Sequence, residues 1–393
     1  MKTIRTLQLL LGGGVLAALA ACGGGGDGGG GVASVGGGGT LRLALTDAPA
    51  CGFDAVNVTV EKVRVHQSNS AADSDSGWSE VVLNPSRRIN LLNLTNGVLD
   101  ELGQVPLPAG KYTQLRMILA DNNAAVPFAN SVKPTGSAEV ALKTPSGQQS
   151  GVKTNVNIDI AANKLADFVL DFNACKSVVT AGNSGQYLLK PVVSVVPRYI
   201  SAVLGFVDSS LTGFGTSVSV QQNGVVIKAT APDSAGKFLL QPVAPGSYTL
   251  VLTSPGRTTA AITNVVVASD TVTAVNASGT VLNLPASATG SVNGTATVNT
   301  LVRAVQTFAS GTQAEIAGRF ADGSTGAYAY ALPVSAPLVA PYVPIPGVLV
   351  FTADTSAAGN YTLRASLDGF SDKTATLPGL AAGGSITTNF TFP

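Results

Sequence analysis

The 393-residue chain has little charge: 23 Lys and Arg with 22 Asp and Glu, together 11% of its residues, against roughly 25% in ordinary soluble domains. A net charge of +1 removes the basic footprint on which nucleic-acid binding depends. A single His excludes poly-histidine metal centres, and no cofactor or metal is expected. Apart from a 15-residue apolar stretch near the start, no segment approaches the roughly 20 apolar residues of a membrane-spanning helix. Hydrophobic residues at 45% are sufficient for packed cores and exclude disorder by composition. The length suggests two or three domains.

The N-terminus reads as an export signal. Lys2 and Arg5 precede the apolar stretch 7–21, which Gly12, Gly13 and Gly14 interrupt. It is too short to span a bilayer, and basic n-region, apolar h-region and small residues occur in signal-peptide order. It ends in Leu19-Ala20-Ala21-Cys22, which resembles the bacterial lipobox. That resemblance implies cleavage before Cys22, lipidation of its sulfur and anchoring to the membrane, since each buried CH₂ of an acyl chain contributes about 0.8 kcal/mol. Gly23 rather than Asp follows, which implies the outer membrane in a two-membrane host. Residues 22–39 then contain 12 Gly in 18 positions, a flexible tether with a root-mean-square span of about 23 Å.

With Cys22 assigned to lipid, Cys51 and Cys175 remain. An oxidising compartment favours pairing of an even number of cysteines. Each follows an expected strand, 41–46 and 164–172, so the bridge requires those strand ends to be neighbours. A loop of this length is worth about 4–5 kcal/mol in the chain-entropy view.

The body reads as strands. Leu41, Leu43 and Leu45 alternate with other residues, as do Val56, Val58 and Val60, before Val63 and Val65 resume with the phase shifted by one. That break at Glu61-Lys62 predicts a β-bulge. Further strands are expected over 78–83, 112–119, 138–143, 152–160, 164–172 and 187–196, with one helical turn over 98–102. Asn223-Gly224 between two apolar runs predicts a two-residue hairpin, and Asn96-Gly97 predicts a turn. Ala244-Pro245-Gly246-Ser247-Tyr248-Thr249-Leu250 is echoed by Ala357-Ala358-Gly359-Asn360-Tyr361-Thr362-Leu363 and, more weakly, by Pro108-Ala109-Gly110-Lys111-Tyr112-Thr113. A Gly turn feeding a strand whose Tyr packs at a sandwich corner explains the pattern. The expected fold is all-β, in tandem immunoglobulin/transthyretin-like β-sandwiches over 40–199, 200–284 and 285–393. Pro333, Pro337, Pro341, Pro344 and Pro346 cannot occupy a central strand and predict a loop or edge segment in the third module.

Several stretches of the first module resemble a bacterial family known only as domain of unknown function 4382. They include Leu45-Thr46-Asp47-Ala48-Pro49, Gly77-Trp78, Ile89-Asn90-Leu91-Leu92, Leu107 through Tyr112, and Leu188-Leu189-Lys190-Pro191. The family implies no activity. Residues 200–284 resemble a carboxypeptidase regulatory-like, transthyretin-like sandwich at Gly205-Phe206-Val207-Asp208, Gly236-Lys237-Phe238 and Gly246 through Leu250. Such modules imply spacers or ligand-binding accessories.

Catalytic chemistry is hard to find. His66, Asp121 and Ser184 fall in the order of a serine-protease triad, but Ser184 lies in a Gly-rich turn and His66 ends a Val-rich strand, so no catalytic residue is expected. Asp73 and Asp75 are spaced as in calcium loops but lack the later bidentate Glu. Asp47 before Ala48-Pro49 suits a turn former better than a ligand. Asp159, Asp167 and Asp171 alternate with apolar residues and predict solvent-facing positions. Trp78 is a candidate for stacking on a sugar, against the plainer role of a core residue. Tyr328, Tyr330 and Tyr342 flank the Pro cluster and are candidates for an aromatic binding strip, against simple loop packing. The leading expectation is a non-enzymatic, lipid-anchored cell-envelope protein with structural or adhesive modules. The alternative is an envelope lipoprotein that binds polysaccharide or another ligand. The expected partners are the membrane and envelope proteins or polysaccharide.

Overall fold

A computed structural model describes residues 37–47, 52–145, 150–212 and 215–393. Almost all regular structure is β, distributed over six sheets. Among the described residues, the apolar side chains of these sheets gather into three main cores, drawn from residues 41–195, from 203–284 with 338–351, and from 292–392, here called the first, second and third modules.

The first core lies between a four-stranded and an eight-stranded sheet. The four-stranded sheet runs Val193–Pro197, Leu165–Phe172, Gly39–Asp47, Asp100–Leu107. Leu41, Leu43 and Leu45 are fully buried, as their alternation predicts. The eight-stranded sheet is organised around the 14-residue strand Phe53–His66. Its register shifts between Val60 and Lys62 against strands Ser79–Asn90 and Gly110–Leu119. This is the bulge expected at Glu61-Lys62, and it keeps Val58, Val60, Val63 and Val65 all buried. The expected strand 187–196 is two strands, Tyr187–Leu189 and Val193–Pro197, one in each sheet. Pro191, which has no N–H to donate, lies between them. The helical turn falls at Leu91–Leu94 instead of 98–102; Asn90 accepts a hydrogen bond from Leu92 N there, and 100–107 is strand.

The second core is formed by a three-stranded sheet (Lys237–Leu240, Ala202–Phe206, Val272–Ala274) and a six-stranded one. In the larger sheet, strands Ser217–Gln222 and Val225–Thr230 are joined by Asn223 at φ 52° and Gly224 at φ 70°. Both central residues are left-handed, as the two-residue hairpin requires. The last two strands of this sheet, Leu338–Pro341 and Thr352–Ala353, are contributed by the Pro-rich segment. Thr352–Ala353 is the edge strand, and none of the five Pro interrupts a strand interior: Pro333 and Pro341 end their strands, and Pro337, Pro344 and Pro346 lie outside strands. Leu338, Tyr342, Leu349 and Phe351 pack on the second core from there.

The third core is enclosed by a three-stranded sheet (Ala327–Pro333, Thr289–Thr295, Ser385–Thr387) and a four-stranded one (Gln313–Phe320, Leu301–Thr307, Thr362–Ser366, Lys373–Thr376). A smaller cluster of Val251, Ala261, Phe308, Ala314 and Ala357 is shared between the second and third modules.

The three echoed tyrosines are all buried with bonded hydroxyls. Tyr112 donates to Pro108 O at 3.2 Å and Tyr248 to Ala244 O at 2.8 Å, each four residues upstream. Tyr361 departs from the pattern and donates to Pro333 O at 2.6 Å. The carbonyl four residues before it, Ala357 O, already accepts from Gln306 Nε2 at 2.9 Å. Burial raises the pKa of all three hydroxyls.

Candidate functional site

The three modules meet around a cavity of about 820 Å³, lined by Lys176, Thr180, Gln221, Arg257, Glu315 and Arg319 among others. Each module contributes a wall. The first contributes the short helix Ala174–Ser177, whose N–H groups are capped by two side chains. Asn173 accepts from Lys176 N at 2.9 Å, and buried Asp47, at the end of its strand, accepts from Ala174 N at 2.9 Å. Capping in this way fixes the helix and aims Lys176 across the seam.

Glu315 of the third module is 5% exposed and is the point where all three modules are joined. Its Oε1 lies 2.5 Å from Lys176 Nζ of the first module. Its backbone N donates to Gln221 Oε1 of the second module at 2.7 Å, and its carbonyl accepts from Gln221 Nε2 at 2.8 Å. The amide of Gln221 therefore acts as one rung of a β-ladder. Gly318 makes room for this pair: a Cβ there would stand 2.5 Å from Glu315 Oε1 and 3.1 Å from Lys176 Cε. Glu315 Oε2 is buried without a hydrogen-bond partner.

Three further locks cross the seams. Lys228 of the second module, 3% exposed, lies 2.7 Å from Asp171 Oδ1 of the first. Burial pushes the Asp171 carboxyl above its ordinary value, against the attraction of Lys228. Asp171 therefore faces the second module rather than solvent. Asp159 is exposed as expected, and Asp167 is half-buried between Arg42 and Arg198. Asp322 of the third module accepts from Thr180 Oγ1 and Gly182 N of the first, both at 2.8 Å, through Oδ2. Its Oδ1 accepts from the N–H and hydroxyl groups of Ser324 and Thr325 at 2.8–3.0 Å. Burial alone would raise this carboxyl, but the donors outweigh it and hold it well below the usual carboxylate range. The expected turn at Asn96-Gly97 has the same role. Asn96 N donates to Thr230 Oγ1 at 2.8 Å and Asn96 Oδ1 accepts from Leu239 N at 3.0 Å.

The arrangement holds modules together. Glu315 is the single carboxylate among the residues that line the cavity, whereas glycoside hydrolysis requires two. His66, Asp121 and Ser184 are not bonded to one another. His66 Nδ1 accepts from Ser68 N at 2.9 Å and its Nε2 lies 3.0 Å from Ser76 O. Ser184 Oγ donates to Ala181 O at 2.6 Å within its own turn. Among the described residues, no group of three or more His, Cys, Asp or Glu is placed to hold a metal ion. The loop of Asp73 and Asp75 is held instead by protein cations and backbone: Asp73 pairs with Arg64 and Arg116, and Asp75 accepts from Ala72 N at 2.8 Å.

Trp78 anchors that same loop. Its Nε1 donates to Ala72 O at 2.9 Å. The guanidinium groups of Arg64 and Arg116 lie 4.6 and 4.8 Å from the ring centre, and the His66 ring lies 5.0 Å away. Tyr328 and Tyr330 are buried in the third core, with hydroxyls donating to Thr388 O and Val302 O, both at 2.5 Å. Burial pushes the Tyr328 hydroxyl up to about 12 and raises Tyr330 further. Tyr342 packs on the second core and donates to Ala274 O at 3.3 Å. The three tyrosines therefore lie in two cores and do not share one face.

Cys22 and Cys51 lie outside the described residues. Cys175 sits in the helix Ala174–Ser177, and its sulfur is not a free thiol. The strand ends preceding Cys51 and Cys175 are neighbours: Gly39–Asp47 and Leu165–Phe172 pair in parallel, with Asp47 opposite Phe172.

No curated protein matches the chain. Among solved structures, it is similar to an interface mutant of a type II cohesin–X-dockerin complex from Acetivibrio cellulolyticus, with 26% identity over 22% of this chain and 58% of that one and a TM-score of 0.19. The chain thus spans 58% of the length of that structure. A streptococcal ancillary pilin is matched over 89% of this chain and 98% of that one, with 9% identity and a TM-score of 0.17. Residues 38–191, which comprise the first core and both of its sheets except strand 193–197, match the family described as Domain of unknown function (DUF4382).

Proposed function

We propose that the chain is a non-enzymatic envelope protein with a structural or adhesive role, exported and anchored by lipid on Cys22. One observation carries the reading: the groups best placed for chemistry, Lys176, Glu315, Asp171, Lys228 and Asp322, are engaged in tying modules together. A surface protein that bears load requires such seams, because tandem domains otherwise move relative to one another by default. In this proposal the modules are 40–199, 200–284 (carboxypeptidase regulatory-like) and 285–393, with 1–21 removed and 22–39 serving as the tether. A Cys51–Cys175 disulfide joins the residues that follow strand Gly39–Asp47 to the helix that carries Lys176; the adjacency of Asp47 and Phe172 supports it.

Two measurements test this proposal. Metabolic labelling with a radioactive fatty acid should mark the protein on cells, and Cys22→Ala should abolish both label and membrane retention. Label that survives the substitution would refute the anchor. Calorimetry of the protein should give one cooperative transition, with calorimetric and van't Hoff enthalpies in agreement. Three separated transitions would show that the seams do not couple the modules and would remove the load-bearing argument.

A further inference from the structure

A second cavity, of about 570 Å³, opens where the second and third modules meet on the side of the Asn223-Gly224 hairpin. This volume is typical of small-ligand sites. Eleven residues line it and none is charged. Ten carry amide or hydroxyl side chains, Tyr248 among them, and the other is Gly311. The first cavity holds Lys, Arg and Glu, whereas a wall built from uncharged donors and acceptors selects for a different chemistry.

Rigid elements position the wall. Asn223 lies at φ 52° in the tight hairpin turn. Asn264 lies at φ 60°, opposite the register shift between Tyr248 and Leu250 where Gly246–Thr253 pairs with Ala260–Val267. Both amides are therefore carried by a fixed turn and a bulge, and left-handed backbone is one that Asn tolerates. From the third module, the turn Ser310–Gln313 closes the opposite side, with Gly311 N bonded to Phe308 O at 2.8 Å. Some of the lining is already engaged: Gln221 clamps Glu315, and Gln313 Oε1 accepts from Arg364 at 2.6 Å. By contrast, the side chains of Asn223, Ser247, Thr249 and Asn264 make no hydrogen bond to any described residue.

We propose that this cleft binds an uncharged saccharide. Each sugar hydroxyl both donates and accepts, as do the amides and hydroxyls of the wall. A charged ligand would leave its charge uncompensated there, and an apolar one would strand the polar wall without partners. The proposal deepens the adhesive reading by supplying a ligand class, and it rests on that reading. Fatty-acid labelling and calorimetry do not involve the cleft, so the two can fail separately.

The test is titration of the full chain, solubilised in detergent, with neutral hexasaccharides (maltohexaose, cellohexaose, mannohexaose) and with charged hexagalacturonate and chitosan hexamer. At least one neutral probe should bind with Kd tighter than about 1 mM, and the charged probes should not. Asn223→Asp and Asn264→Asp preserve size and left-handed backbone but replace an amide donor with a charge. Each should weaken neutral binding by about tenfold or more. Ser247→Ala, on an exposed hydroxyl, should weaken it less and serves as a variant with no backbone demand. Failure of every neutral probe, preference for a charged one, or binding unchanged in both Asp variants would overturn the assignment.

Discussion

Lys228→Met should destabilise the protein by about 3–5 kcal/mol, one of the two largest effects expected of a single substitution. Lys228 is 3% exposed and its Nζ lies 2.7 Å from Asp171 Oδ1. Removing one partner of a buried pair leaves the other charge without compensation. For a unit of about 350 residues this corresponds to a melting point lowered by roughly 4–7 °C. The double variant Lys228→Met/Asp171→Val removes both charges and both desolvation costs. It should recover wild-type stability or exceed it, as replacement of buried pairs by apolar groups commonly does. The pH dependence gives an independent check. Burial already raises Asp171 above its unfolded value, so its contribution to stability is greatest at low pH and declines as pH rises through the folded value. Loss of Lys228 raises that carboxyl further. The deficit of Lys228→Met should therefore be largest near neutrality and narrow as pH falls towards about 3.9. A deficit that is independent of pH, or a double variant no more stable than Lys228→Met, would show that the seam is held by packing alone.

The residues that matter most for this assembly are those that strand periodicity reads incorrectly. Alternation along Leu165–Phe172 correctly separates Leu170 and Phe172 from Asp167 and Asp171. It then assigns the polar face to water, because a period of two distinguishes faces and not what covers them. Asp171 is covered by another module. The same limit applies at Asn96-Gly97, whose left-handed residues identify a turn without showing that the turn docks on Leu239 and Thr230. Glu315 gave no signal at all. It is one acidic residue in a mixed strand, and its role arises from a partner 139 positions away at Lys176 and another 94 away at Gln221. Features dictated by local sterics were legible: the bulge at Glu61-Lys62, the hairpin at Asn223-Gly224 and the exclusion of the Pro cluster from strand interiors. Tyr112 and Tyr248 were legible too, since each hydroxyl finds its acceptor four residues upstream. Tyr361 was half legible. Its burial follows from the repeat, but its acceptor is Pro333 because Gln306 holds the local carbonyl. The N-terminal lipid signal is of another kind, because it is addressed to a processing enzyme and requires no fold.

Asp322→Asn should cost about 3 kcal/mol at neutral pH and lower the melting point by about 4 °C. The side chain is 9% exposed, and its two oxygens accept from donors of two modules. Asn retains one acceptor oxygen, which can keep the local turn through Ser324 and Thr325. Its NH₂ would then face the Thr180 hydroxyl and Gly182 N–H, placing donors against a donor across the seam. Unmatched buried donors cost about 1–3 kcal/mol each. The native carboxyl is held well below its unfolded value, so its stabilisation is fully present above about 3.9 and is lost as pH falls through the folded value. The gap between wild type and Asp322→Asn should therefore stay constant from pH 5 to 8 and begin to close below about pH 4. Thr180→Val isolates the contact across the seam: it removes one donor without adding one, and should cost less than Asp322→Asn over the same pH range. If Thr180→Val costs nothing and Asp322→Asn keeps its full deficit at pH 3, Asp322 stabilises only its own turn, and the first and third modules are held by their other contacts: Lys176 with Glu315, Lys190 with Asn299, and Gly323 N with Thr180 O.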